Sequence, residues 1–284
     1  MGPATVVNTW CLNRSLGLAA SLKCTPLLFL VYFAYRRQWR VVLATAAAVV
    51  VLTLSPIFVL GARQYGQAMS HWFKVATAIM SEPDPSRTVV GEDKVENLAL
   101  RPALARYLMR LPQGHAGRPE TSYDDDRPDG KPNPAYLHFA DLSPPQAGIV
   151  VKLVTATLVL TCAWLIRRPV EDRADPVLLW QCAAISVLIL LLSPFTWDQH
   201  CAGVVPGLYL ICRARFSGWR VPRSVTVLVA MYAVLCLFTA RMFVGKQLSK
   251  LLDSYHLETM GLLLLLAAVF VCAREVTNRR PQSQ

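Results

Sequence analysis

The residues best equipped for chemistry stand together at Trp197-Asp198-Gln199-His200, directly after Ser193-Pro194-Phe195-Thr196. An acid, an amide and an imidazole follow an indole without a gap. The next apolar segment, Cys201 to Cys212, has only about 12 residues, so as a helix it covers roughly 18 Å against a hydrocarbon core of about 30 Å. That length predicts a polar cluster lying below the membrane surface or drawing water down to it. Polar groups at such depth are costly and mark a functional site. An ordinary interfacial loop, with Trp197 in the aromatic belt, would present the same residues. A second candidate is Lys23, inside the apolar run Leu16 to Tyr35 and close to Pro26. A lysine there either snorkels to the near interface or pairs with an anion inside the protein.

The composition predicts a membrane protein. Of 284 residues, 54% are hydrophobic, and the mean hydropathy is +0.37. The net charge of +11 could suit nucleic acid. The arginines, however, sit in short clusters between apolar runs, which speaks against a nucleic-acid surface. The eight cysteines form no C-x-x-C pair and read as small apolar packing residues. Asp124, Asp125, Asp126 and Asp129 match no calcium-loop spacing. Neither a metal nor a cofactor is expected.

The elements that must position these residues form an all-α polytopic membrane helical bundle of about seven spans with a long extracytoplasmic loop. Residues 1–61 hold the first two spans, Leu16 to Tyr35 and Val41 to Gly61. Residues 62–146 form the loop. It opens on an amphipathic segment, Tyr65 to Met80, whose Met69, Trp72, Phe73, Ala76 and Met80 recur at helical spacing and predict a helix lying in the interface. Pro102 is expected to start a second loop helix, running to about Leu111. Residues 147–273 hold five spans: Ala147 to Ile166, Val177 to Leu192, the short Cys201 to Cys212, Ser224 to Ala240 and Met260 to Cys272. Residues 274–284 form a cytoplasmic tail.

Charge sets the orientation. Loops 36–40, 167–173 and 213–223 and the tail hold thirteen arginines, against Arg241, Lys246 and Lys250 in the short loops of the other side. Basic loops stay in the cytoplasm. The long loop and the Trp197–His200 cluster are therefore expected outside, in a multi-pass protein of the plasma membrane.

Three blocks carry a resemblance. Ser21-Leu22-Lys23-Cys24-Thr25-Pro26-Leu27-Leu28 followed by Arg36-Arg37-Gln38-Trp39-Arg40 resembles a block of glycosyltransferase family 87. Ser193 to His200, followed by the Pro206 helix, resembles that family's C-terminal block. Asn97-Leu98-Ala99-Leu100-Arg101 with Arg106 resembles its outer-loop block, with Ala99 where the family usually has Ser. Together the blocks cover roughly residues 17–213. The resemblance implies a GT-C-like fold and an inverting transfer of a hexosyl, usually mannosyl, residue from a polyprenyl-phosphate carrier at the outer face.

Such chemistry needs a base for the acceptor hydroxyl and cations or donors for the leaving phosphate. The resemblance makes His200 and Asp198 the catalytic candidates. Lys23, Arg101 and Arg106 become candidates for the donor phosphate, and Asn97, Trp197 and Gln199 for the substrate pocket. Expected partners are a polyprenyl-phosphate sugar donor, a lipid or glycan acceptor and membrane lipids, and no nucleic acid. The family's catalytic acid sits in a first outer loop upstream of the resembling blocks, as for a gene fragment or a degenerate member. Two further readings stay open: a non-catalytic subunit that binds polyprenyl lipids, and a transporter with broken helices at Pro26 and Pro194.

Overall fold

The computed structural model describes residues 27–88, 91–112, 114–118, 137–167, 175–219 and 221–278. Lys23, the acidic run 124–129 and the tail beyond Asn278 lie outside the described residues. Contacts divide the chain into two compact units, Met1–Met80 and Ser81–Gln284.

In the first unit, α1 (Leu27–Tyr35) turns at Arg37, which takes φ 54°, into α2 (Trp39–Leu54). Tyr32, Phe33, Val41 and Thr45 are buried where the two pack. Pro56 interrupts the run and α3 (Ile57–Leu60) continues it. Gly61 takes φ 76°, a left-handed conformation that a glycine adopts without penalty. There the chain leaves the apolar run for α4 (Ala62–Ser81), the amphipathic helix, which begins three residues earlier than the sequence pattern suggests. The Tyr65 hydroxyl donates to the Thr53 carbonyl at 2.9 Å and ties α4 to α2.

The second unit opens on a two-stranded antiparallel pair, β1 (Arg87–Thr88) and β2 (Gly91–Glu92). Next comes α5 (Leu100–Leu108). It begins two residues before Pro102 and stops short of Leu111. The chain is extended at Met109, and the last carbonyls of α5 are taken by another segment. Phe139 N and Ala140 N donate to Tyr107 O, and Leu142 N donates to Leu108 O. Capping by a returning loop replaces further helix.

Ser143 then caps α6 (Pro144–Leu165), with the Gln146 side chain reaching back to the Ser143 amide. Gly148 is required here, because a Cβ at this position would sit 2.3 Å from the Pro83 carbonyl oxygen. Asp175 caps α7 (Pro176–Leu192) through the Val177 amide. A 3-10 helix, Asp198–Val204, runs straight into α8 (Val205–Phe216). The helical element over the expected fifth span is longer than the apolar run: it takes in the polar residues Asp198, Gln199 and His200 at its start and Arg213 and Arg215 in its last turn.

α9 (Arg223–Thr239) leads into α10 (Arg241–Asp253), a helix the sequence reading missed, interrupted at Gly245 with φ 79°. α11 (Leu257–Asn278) is longer at both ends than the apolar run Met260 to Cys272. It packs against α7 and α9. Leu262, Leu265, Val269 and Cys272 on α11 and Val187 and Leu191 on α7 are all buried. Gly261 lets the helices approach, since a Cβ there would lie 3.1 Å from the Tyr232 ring.

The protein is mostly helical. Among the described residues, three helical stretches are long and apolar enough to cross a membrane: 39–60, 144–165 and 257–278. α7 and α9 are shorter apolar helices.

Candidate active site

The site is built on a joint between the loop that precedes α5 and the break that ends α7. Ser193-Pro194 stops α7, and Ser193 Oγ donates to the Phe195 carbonyl at 2.7 Å. Thr196 is fully buried, with its hydroxyl donating to the Leu190 carbonyl at 2.6 Å. Asn97 lies against it, 1% exposed. Its Nδ2 donates to Asp93 Oδ1 and to the Pro194 carbonyl, both at 2.9 Å. Its Oδ1 accepts from Thr196 N at 2.9 Å and from Ala99 N at 3.2 Å. An amide has two donors and two acceptor positions, and protein groups take all four. Leu98 N donates to Thr196 O at 2.7 Å, and the Thr259 hydroxyl of α11 donates to Leu98 O at 2.9 Å. One short extended stretch, 97–99, thus pins the ends of α7 and α11 together.

Arg106 extends this joint. It is 1% exposed. Its Nε donates to Ser254 O at 2.8 Å and Nη1 to Leu137 O at 2.6 Å. The guanidinium lies 4.9 Å from the centre of the Tyr255 ring. The Tyr107 hydroxyl donates to Tyr255 O at 2.6 Å. Arg101 faces another direction. Its Nη2 donates to the carbonyls of Asp84 at 2.7 Å and Glu82 at 3.2 Å. The two arginines therefore do not converge on one point, although they share α5.

The turn that receives Arg106 is conformationally unusual. His256 has φ 48°, a left-handed geometry rare for a residue with a Cβ. Its ring is buried and hydrogen-bonded to the Asn97 backbone, while Nδ1 has no partner. Burial, and then the Arg106 charge, pull its pKa down to about 4, so the ring is neutral. Asp93 behaves conversely. Burial pushes its carboxyl up to about 7 against the Asn97 and Lys94 hydrogen bonds and the Arg101 charge.

The open side of the joint carries Trp197, Asp198, Gln199 and His200. Trp197, Asp198 and Gln199 are exposed and His200 is half-buried. His200 N donates to the Trp197 carbonyl at 2.8 Å, and its Nδ1 accepts from Trp197 N at 3.0 Å. An accepting Nδ1 leaves the proton of the neutral ring on Nε2.

Two acids that the sequence reading passed over face the same region. Glu258 Oε1 accepts from the Thr239 hydroxyl at 2.7 Å. Ser249 Oγ donates to the Thr239 carbonyl at 2.7 Å and lies 3.3 Å from Asp253 Oδ2. The Asp253 carboxyl is pushed up to about 7 by burial first, then by the charges of Glu258, Asp198 and Glu96. Asp198 is thus one of several carboxylates within electrostatic reach of one another. The signal that could have found Glu258 is an acid two residues ahead of the apolar run that begins at Met260.

A polar cluster thus stands at the end of a helical bundle, fixed by the Asn97–Thr196 joint. The chain belongs to glycosyltransferase family 87, whose family model matches residues 6–194. Thr196 to His200 lie beyond that match. The chain is also similar to the polyprenol-phosphate-mannose-dependent alpha-(1-2)-phosphatidylinositol mannoside mannosyltransferase of Mycolicibacterium smegmatis. The two are 28% identical over 207 residues, 70% of this chain and 36% of that protein. The chain therefore spans about a third of the length of this curated relative. No solved structure matches it.

Proposed function

We propose that this chain forms part of a membrane glycosyltransferase that moves a hexosyl residue, mannose by the precedent of its relative, from a polyprenyl-phosphate carrier to a lipid or glycan acceptor at the outer face of the plasma membrane. Family membership supports the transferase class, and the relative's named donor supports the carrier. The observation that carries the siting is the Asn97–Thr196 joint, which holds the outer-loop block and the Trp197–His200 block side by side.

In this reading the acceptor oxygen attacks the anomeric carbon while the bond to the carrier phosphate breaks. The acceptor proton passes to a carboxylate and the polyprenyl phosphate leaves. Asp198 orients or deprotonates the acceptor hydroxyl. His200, with its proton on Nε2, donates to the departing phosphate. Trp197 and Gln199 line the pocket, the indole as a platform for the sugar. Lys23 and Arg101 remain the proposed contacts for the phosphate on the resemblance of their blocks alone. Asn97 and Arg106 act as positioning residues. No cofactor enters the reaction.

Membranes containing the chain, supplied with radiolabelled polyprenyl-phosphate mannose, should label a lipid or glycan product. Asp198→Asn and His200→Ala should each lower turnover about a hundredfold without loss of membrane insertion. Donor capture without any transfer would support the lipid-binding subunit instead. Equal turnover in both variants and the parent would move the chemistry elsewhere.

A further inference from the structure

The helix Ala62–Ser81 has twenty residues and none of them is acidic. Arg63, Gln67, Ser70, His71 and Lys74 fall along one face, with Gly66 between them, and line a shallow groove. At 100° per residue, Arg63 and Lys74 sit within about 20° of each other. Beyond the helix's own adjacent backbone, nothing among the described residues lies within 4 Å of where a Gly66 Cβ would be, so the groove floor is open. The opposite face carries Tyr65, Met69, Trp72 and Ala76. Trp72 is 46% exposed and its neighbour Phe73 56% exposed. Their rings meet edge to face at 5.0 Å. The hydroxyl of Tyr65, bonded to Thr53 O, attaches this face to the end of a membrane-length apolar run.

We propose that this helix is a binding surface for anionic phospholipid. Trp72 and Phe73 enter the acyl boundary, as in interfacial helices generally. Arg63 and Lys74 then stand at headgroup level, where the long guanidinium and ammonium reach phosphodiester oxygens. Gly66 and Ser70 leave the space that a headgroup needs between them. The helix holds no carboxylate to compete for the two cations, and no helix-borne acid repels the lipid. Charge complementarity therefore selects an anionic headgroup over a zwitterionic one, in which an ammonium accompanies every phosphate. The inference needs only a membrane location and stands apart from the transferase reading.

The test uses the full chain in nanodiscs of phosphatidylcholine alone and of phosphatidylcholine with an equal share of phosphatidylglycerol. Amide hydrogen exchange over 62–81 should be several-fold slower with phosphatidylglycerol, and the difference should shrink as salt rises. Each basic residue near an anionic surface contributes about fivefold in preference. The double variant Arg63→Gln with Lys74→Gln should therefore exchange alike in both lipids. The charge-keeping pair Arg63→Lys with Lys74→Arg should retain the parent's difference. Equal exchange of the parent in the two lipids overturns the proposal. So does a neutral double variant that still tells them apart, or a charge-keeping pair that does not.

Discussion

At Asp93 and Asp253 the folded protein keeps a carboxyl proton that an ordinary aspartate gives up near 3.8, since burial pushes both up to about 7. His256 does the reverse, refusing a proton until about 4 instead of 6.5. The signs follow from which state binds more protons. Each aspartate contributes stability that is complete below pH 3.8 and lost as pH rises through 7. The histidine contributes stability that is complete above pH 6.5 and lost as pH falls through 4. Two raised acids outweigh one depressed base, so these groups together should favour the folded state more at pH 4 than at pH 7. Asp93→Asn keeps an acceptor for Asn97 and removes one of the two acids. Thermal melts of the detergent-solubilised variant between pH 4 and pH 7 should lose less stability with rising pH than the parent. Parallel curves would mean that Asp93 is ionised in the folded protein throughout.

Among the elements, the stretch 97–99 does the most with the fewest residues, because it bonds both to the segment that ends α7 and to Thr259 at the start of α11. Asn97→Ala would strand Thr196 N, Ala99 N and the Pro194 carbonyl in a site closed to water. Leaving such groups unmade costs roughly 2–4 kcal/mol in sum. The variant should therefore melt lower, and trypsin should cut after Lys94 sooner than in the parent. Unchanged melting and cleavage would show that the joint is not what holds the loop.

None of this was visible in the amino-acid order. Asn97 and Thr196 are 99 positions apart, and nothing in either neighbourhood announces the other. The apolar runs that became α6, α7 and α9 were legible, since burial in lipid demands length and hydrophobicity. α10 was not, because its apolar residues are interrupted by Gly245 and its arginine and two lysines look like loop charge. The cluster Trp197 to His200 stood out by residue type. Asp253 and Glu258 became visible only when their helices brought them beside it.

For the molecule as a whole, the arginine clusters predict which ends of the helices stay in the cytoplasm. The loop end of the bundle, including Phe139, is expected on the opposite side. Phe139 is 84% exposed, which makes Phe139→Cys a clean reporter. An impermeant maleimide added to intact cells should label that variant well above the parent, whose described cysteines are mostly buried or half-buried. Labelling only after the cells are opened would invert the topology and place the Trp197–His200 cluster in the cytoplasm.

The long reach of Arg106 bears on how the protein is made. Its carbonyl partner at Ser254 lies 148 positions further along the chain. A ribosome adding 5–20 residues per second needs roughly 7–30 s to cover that distance. For this interval α5 and the Leu137 carbonyl that also receives Arg106 have been synthesised, but the Ser254 carbonyl has not. The contact that joins α5 to the turn before α11 thus forms only once residue 254 has been made, and a chain that stalls before it lacks that contact.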